Sequence, residues 1–435
     1  MNFLLYCFEN SILKPISAYL LANDEDILGE NDMRRIFCLL LALTMVSGGV
    51  LAKAEKTISA EYYSEDITAD FESEEGAVAV SSSLDIKAKS CVLMEKETGE
   101  VLYSIEPHQK RAPASITKIM SLLLIFEAID EGRLKFEDKI TASAHACSMG
   151  GSQIWLKENE VMTVDELLRA VVIASANDAT VALAEAVSGS EEAFVGKMNE
   201  KAKALGMVNT HFKNSSGLDA EGHFTTAYDI GIMSCELLKH EVKKNYSTVW
   251  MDSLRDGASE LVNTNKLIRF YEGATGLKTG TTSEAGFCVS ATAKKNGMEL
   301  CAVVMGAENN DGRFSSAKAL LNFGFSNWEM REVEVPKSML KPIAVKKGVA
   351  ESLEPRASNK AVFLIQKGEG EKLEIKAFIP ESLEAPIAEG EKIGRADVML
   401  NDKKLGTIDI VSAAGVEKLS YSVSLNRLLE ALFMT

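Results

Sequence analysis

Residues 114–124 read Ala114-Ser115-Ile116-Thr117-Lys118-Ile119-Met120-Ser121-Leu122-Leu123-Leu124, a serine and a lysine three apart at the head of an apolar run. The spacing predicts a helix from about Ser115 to Glu127. Positions i and i+3 share a helix face, so Lys118 can reach the Ser115 hydroxyl. A serine hydroxyl is a weak nucleophile until a neighbouring base takes its proton. Lysine can be that base when desolvation or a second cation disfavours its ammonium form. Alone, the pattern says little. Ser11 with Lys14, Ser315 with Lys318 and Ser338 with Lys341 repeat it, and a surface lysine near a serine is the ordinary reading.

Working outward, Ser175-Ala176-Asn177 closes a helical segment expected over Val164–Ala176, and Lys278-Thr279-Gly280 is the only K-T-G in the chain. Each has a plain alternative, a helix end in one case and an edge strand with an exposed lysine in the other. In the order S-x-x-K, S-x-N, K-T-G, the set matches the penicillin-recognising serine enzymes. The surrounding periodicity predicts an α+β fold. Ser90–Glu95 and Glu100–Ile105 flank Thr98-Gly99 as a hairpin, and Phe287–Lys294 and Met298–Met305 flank Asn296-Gly297 as another. Helical segments are expected at Thr180–Val187, Glu192–Leu205 and Arg313–Phe323, so strands come first, helices in the middle, and strands with a helix last. After about Glu332 the helical pattern fades. Short alternating segments at Ile343–Lys347, Val362–Gln366, Leu373–Phe378, Ala396–Leu400 and Leu405–Val411 predict a small all-β module.

The chain resembles the low-molecular-mass penicillin-binding D-Ala-D-Ala carboxypeptidases, in particular their sporulation-associated type. The resemblance is carried by Arg111-Ala112-Pro113-Ala114-Ser115-Ile116-Thr117-Lys118, Gly150-Gly151-Ser152-Gln153, Asn214-Ser215-Ser216-Gly217-Leu218-Asp219 and Gly276–Gly286. It implies a penicillin-recognising peptidase domain over 88–331, a β-rich domain over 332–423 and an amphipathic, membrane-associating tail over 424–435. It also implies roles. Ser115 would be the acylated nucleophile and Lys118 its base. Ser175 would shuttle a proton towards the leaving D-alanine, and Asn177 would bind the substrate amide. Lys278 and Thr279 of the Lys278-Thr279-Gly280 element would hold the terminal carboxylate, and the Ser115 and Thr281 amides would form the oxyanion hole. Arg313 would help orient the carboxylate network, although a surface salt bridge explains it equally. Two departures stand out: Ala176 replaces the glycine many relatives have, and Thr281 stands where some carry histidine.

The implied substrates are peptidoglycan stem peptides ending in D-Ala-D-Ala, with β-lactams as covalent inhibitors and no cofactor. Two rivals share the motifs. A β-lactamase would need a glutamate-activated water, and Glu260-Leu261-Val262-Asn263 comes nearest to the required element. A non-catalytic penicillin-sensing or wall-binding protein is the other.

Composition is that of a soluble globular protein. The 435 residues are 46% hydrophobic and 25% charged, enough for two domains with tails, and the net charge of −16 argues against a nucleic-acid partner. Met33-Arg34-Arg35, the apolar run Ile36–Val46 and Ala52-Lys53-Ala54 have the anatomy of a signal peptide over 33–54. Residues 1–32 would then be a mis-assigned extension, and 55–87 an acidic flexible leader. The seven cysteines show neither C-x-x-C nor zinc-ligand spacing, and most of them read as small buried hydrophobes; no metal is implied. In the tail, Leu425, Leu428, Leu429, Leu432 and Phe433 fall on one helical stripe that could lie in a membrane interface.

Overall fold

Thr98 and Gly99 turn the chain between β1 (Ser90–Glu95) and β2 (Val101–Ile105), with the Glu95 carboxylate accepting from the Glu97 and Thr98 amides and the Thr98 hydroxyl. Residues 84–242, 246–425 and 429 are described, from a computed structural model. The expected signal segment, nearly all of the leader, and Leu428, Leu432 and Phe433 of the tail lie outside them.

β1 joins a five-stranded antiparallel sheet with β3 (Ala274–Thr282), β4 (Gly286–Lys295) and β5 (Met298–Ala307), in the order β2-β1-β5-β4-β3. The expected Asn296-Gly297 hairpin is present, both residues with the positive φ that a two-residue turn requires. Because side chains alternate, β1 serves two cores. Val92 and Met94 face a helical cluster, while Cys91 and Leu93 face the opposite layer. β5 divides in the same way, Val303 and Met305 one way and Ala302 and Val304 the other.

The helical side is built around α1 (Lys118–Asp130), which buries nearly every residue and so carries no polar face. Around it lie α2 (Asn177–Ser188), α3 (Glu191–Ala204) and α4 (Ala227–Leu237). Ser190 caps α3 and Thr226 caps α4 through their hydroxyls. α5 (Asn310–Asn327) covers the other face of the sheet, started by the Asn309 side chain. Two expectations are corrected. The helix expected over Val164–Ala176 is α-helical only to Arg169; a π turn spans Ala170–Ala174, and the chain reverses at Ser175 with φ 65°. The helix expected at Thr180 begins at Asn177, directly after that reversal. No helix was expected over 227–237.

The C-terminal part is all β. β6 (Trp328–Val333) pairs with β7 (Ala361–Gln366), and β8 (Leu373–Phe378), β9 (Lys392–Leu400) and β10 (Lys403–Ser412) form a sheet with Pro355–Ala357. Ile343, Val345, Ala396, Val398, Ile408 and Ile410 make its core. All five alternating segments read from the sequence are strands. The described residues therefore form an α+β domain followed by an all-β domain.

Candidate active site

Ser115 lies in a 3-10 turn (Ala114–Thr117) that feeds directly into α1, with Lys118 as the first residue of the helix. Lys118 is fully buried. Its Nζ is 3.1 Å from Ser115 Oγ, 2.5 Å from Asn177 Oδ1 and 2.5 Å from the Ser216 carbonyl. Asn177 Nδ2 donates to the Gly150 carbonyl at 2.6 Å, which fixes the amide so that Oδ1 faces the lysine. Both of those acceptors can only accept. A neutral Lys118 amine thus gives its two N–H groups to Asn177 and Ser216 and aims its lone pair at the Ser115 hydroxyl.

The second element is shaped by the π turn. Ending it in a left-handed residue lets Asn177 open α2 with its backbone N–H on the Ser152 carbonyl at 2.7 Å. The Ser175 hydroxyl is buried and, among the described residues, has no hydrogen-bond partner. A buried donor left free in this way is available to a ligand atom or a proton in transit.

Lys278, Thr279, Gly280 and Thr281 lie on β3, the sheet edge, so the edge-strand part of the plain alternative is right and the exposed lysine is not: Lys278 is fully buried. Gly280 is what allows the strand to approach the nucleophile. A Cβ there would come within 2.9 Å of Ser115 N and 3.0 Å of Ile116 N. Among the described residues Lys278 Nζ reaches only the Thr279 carbonyl, at 3.2 Å, so most of its donor capacity there is unspent. Thr279 Oγ1 donates to Thr264 Oγ1 at 2.7 Å, and Thr281 Oγ1 to the Gly280 carbonyl at 2.8 Å. Arg313 is no surface ion pair. It is buried, with Nη1 on the Gly280 and Cys288 carbonyls and on Thr281 Oγ1, and its guanidinium over Phe314.

The electrostatics follow from three buried cations in one region. Burial first, and the nearby Lys278 second, drive the Lys118 pKa well below the usual lysine range, against the pull of Asp178. Burial and then Arg313 lower Lys278 to about 7. Arg313 itself is lowered by burial to about 10. Asp178 is engaged with the backbone. Its oxygens take the amide hydrogens of Ile154, Leu156 and Ala179. Glu260 is exposed on the strand Ser259–Val262, paired with Met251–Leu254.

Other residues of the site were given no role from the sequence, although some lie in the stretches that carry the resemblance. Ser216 contributes a carbonyl, as does Gly150, and backbone groups carry no residue signature. The Asn214–Gly217 loop is held by Glu191, which accepts from the amide and hydroxyl of Ser215 at 2.9 and 2.6 Å. His223 bridges Thr117 Oγ1 (2.8 Å) and the Lys213 amide, and burial lowers its pKa to about 4. It is therefore a neutral strut in which Nδ1 accepts and Nε2–H donates.

The family described as D-alanyl-D-alanine carboxypeptidase matches residues 77–309. The chain belongs to this peptidase family. The family described as penicillin-binding protein 5, C-terminal domain, matches residues 328–418. The D-alanyl-D-alanine carboxypeptidase DacF of Bacillus subtilis (strain 168) is 43% identical over 353 residues, covering 80% of this chain and 90% of that protein. Penicillin binding protein 5 from Haemophilus influenzae superposes with a TM-score of 0.66 at 29% identity, over 78% of this chain and 99% of that one. Penicillin-Binding Protein D2 from Listeria monocytogenes, in its ampicillin-bound form, superposes with a TM-score of 0.52 at 30% identity, over 56% of this chain and 100% of that one. As a member of the family the chain is a serine-type D-Ala-D-Ala carboxypeptidase, a penicillin-binding hydrolase of cell-wall peptides. The β-lactamase and sensor readings are not favoured.

Proposed function

We propose that this carboxypeptidase works through an acyl-enzyme on Ser115, and the observation that carries the proposal is the buried Lys118 amine with its free position directed at Ser115 Oγ. Neutral Lys118 takes the hydroxyl proton as Ser115 attacks the carbonyl between the two terminal D-alanines. The oxyanion is held by the amides of Ser115 and Thr281, on adjacent stretches of the turn and of β3, an arrangement worth several kcal/mol (about 3–4). Ser175 passes the proton to the departing amine, which fits its unsatisfied hydroxyl. Lys278 and the Thr279 hydroxyl hold the terminal carboxylate, filling the unspent donors on Lys278. Asn177 fixes the amide of the acyl side and also positions Lys118. Arg313 acts through Gly280 and Thr281, keeping β3 in place and adding positive potential. Water then cleaves the ester and regenerates Ser115.

A peptidoglycan substrate places this work outside the cytoplasm, which the signal-like stretch 33–54 supports. Among the described residues no helix is long and apolar enough to cross a membrane. Leu425 and Leu429 are exposed, 45% and 40%, as a tail that lies on a membrane surface requires. The central test is Ser115→Ala. It should lose D-Ala release from a pentapeptide stem by at least about 10⁴-fold and lose covalent labelling by a fluorescent penicillin, with the melting curve unchanged. Labelling that persisted at another serine would refute the assignment.

A further inference from the structure

Of the three tryptophans, Trp250 packs on Phe270 and Trp328 on Phe323, with ring centroids 6.1 and 5.2 Å apart. Trp155 differs. It is 75% exposed, and among the described residues its ring has no aromatic or cationic partner. Its φ is 60°, a left-handed conformation that a bulky side chain rarely adopts.

That conformation is imposed by the scaffold. The amides on either side, Ile154 N and Leu156 N, both donate to the buried Asp178 carboxylate, at 3.2 and 3.0 Å. Arg255, held by Glu160, donates to the Ile154 carbonyl at 2.9 Å. Ile154 and Leu156 are themselves buried, 6% exposed each, so the clamp drives both flanking side chains inward and leaves Trp155 outward. Asp178 follows Asn177, whose side chain binds Lys118 and whose backbone N–H donates to the Ser152 carbonyl of the same loop. The strained, outward indole is thus tied through Asp178 and Asn177 to the base beside the nucleophile. Strain that a scaffold over-determines beside a reactive site points to a use.

We propose that Trp155 is a stacking platform for the glycan strand of peptidoglycan, its indole face meeting the C–H face of a sugar ring. The proposal rests on the carboxypeptidase reading above. In a stem pentapeptide four residues separate the scissile bond from the sugar-bearing end, a reach of up to about 14 Å when extended. A substrate seated on Ser115 therefore carries its sugar out to the surface around the cleft, and Trp155 supplies a large, flat, amphipathic ring on a loop tied to the catalytic centre. The site takes a saccharide as its ligand class, and its effect is on substrate choice: glycan-linked stems over free peptides.

The test compares the whole enzyme with Trp155→Ala, Trp155→Phe and Trp155→Gly on three substrates: a short N-acylated peptide ending in D-Ala-D-Ala, the free pentapeptide stem, and the disaccharide pentapeptide. Trp155→Ala should lower kcat/KM on the disaccharide substrate by about five- to tenfold, mainly through KM, leaving both peptides within twofold. Trp155→Phe should keep most of the preference. Trp155→Gly, which suits the left-handed backbone, should lose the preference while melting no lower than the parent. Equal losses on all three substrates, an unchanged disaccharide rate, or a lower melting point for the glycine variant would each overturn the proposal. A loss shared by the free pentapeptide would assign the ring to the peptide and overturn it as well. Failure of the underlying reading looks different: the parent enzyme would release no D-Ala from any of the three.

Discussion

Lys118 and Lys278 are fully buried and, among the described residues, bonded only to neutral oxygens. In the β-domain the pattern reverses: Lys360 lies at the surface between Glu332 and Glu334, Lys404 on Asp397 and Lys347 on Glu384. Burying an ammonium without an anion costs stability, and the group answers by giving up its proton. A surface pair costs little and contributes little. The peptidase domain therefore gives up stability to obtain, in Lys118, an amine whose burial favours its neutral, basic form. The β-domain has charges of the ordinary kind, exposed and paired at its surface. Glycines draw the same contrast. Gly217 and Gly368 are both left-handed, at φ 89° and 86°. A Cβ on Gly217 would fall 1.9 Å from the Ala114 carbonyl oxygen, whereas nothing lies within 4 Å of one on Gly368.

The largest effect should come from that pair. Gly217→Ala must displace the turn that carries Ser115 and should abolish D-Ala release while lowering the melting point by many degrees. Gly368→Ala should cost only the left-handed strain, about 1 kcal/mol, and leave activity untouched. Thermal melts and D-Ala release on the two variants decide it, and equal melting shifts would break the contrast between the domains.

Next is Lys278→Met, for which activity and stability should move in opposite directions. D-Ala release should fall at least a hundredfold, through lost carboxylate binding and a less perturbed Lys118. Stability at pH 6 should rise, on the order of a few kcal/mol, because an uncompensated buried cation is removed. The sign follows from the lowered folded pKa of about 7. Between there and the ordinary lysine value the unfolded chain binds more protons, so the parent gains stability as pH rises and the variant lacks that slope. Rate has its own profile. For the parent, kcat/KM should rise with pH as Lys118 loses its proton and fall above about 7 as Lys278 loses its charge. A bound carboxylate holds the Lys278 proton, so the falling limb of kcat should lie at higher pH than that of kcat/KM. Denaturant midpoints and rates across pH 5–10 test both statements.

A smaller change is expected from Thr264→Val, which removes the acceptor of the Thr279 hydroxyl at 2.7 Å. When Thr279 turns its single proton to the substrate carboxylate, the Thr264 hydroxyl can reverse its role and donate to Thr279 Oγ1. Without that support Thr279 should hold the carboxylate less well, lowering kcat/KM by about fivefold to tenfold, with KM moving and kcat nearly fixed. An effect on kcat alone would place Thr264 elsewhere in the mechanism.

What could be read beforehand follows the kind of group involved. Ser115, Lys118, Ser175, Asn177 and Lys278 were legible because their side chains recur at fixed spacing. Ser216 and Gly150 lie in stretches that carry the resemblance, but their roles were not legible, since each acts through a carbonyl that any residue supplies. Asp178 sits one place beyond the second element, and only the fold reveals that it binds the 154–156 amides. The two hairpins and the alternating strands of the β-domain were legible from period and turn residues. α4 was not, because Ala227–Leu237 is buried on most sides and shows no amphipathic stripe. The π turn at Ala170–Ala174 is a tertiary matter: its sequence, Ala-Val-Val-Ile-Ala, is that of any buried helix.

The smallest effect should come from Lys360→Ala, and its size tests the comparison from the other side. Lys360 lies 2.5 Å from carboxylates of both Glu332 and Glu334, and these raise its pKa while Lys360 lowers that of Glu334. The signs fix where the pairing helps. A raised lysine contributes at pH below its unfolded value, and a lowered glutamate contributes at pH above its own, so the pair favours folding across the neutral range. Yet all three side chains are more than half exposed, and water with its ions screens them. Removing Lys360 should leave the denaturation midpoint at about 0.15 M salt unchanged within error and lower it only slightly at low salt. D-Ala release should be unaffected. If this variant moved the midpoint as far as Lys278→Met, in either direction, depth of burial would not be what separates the lysines of the two domains.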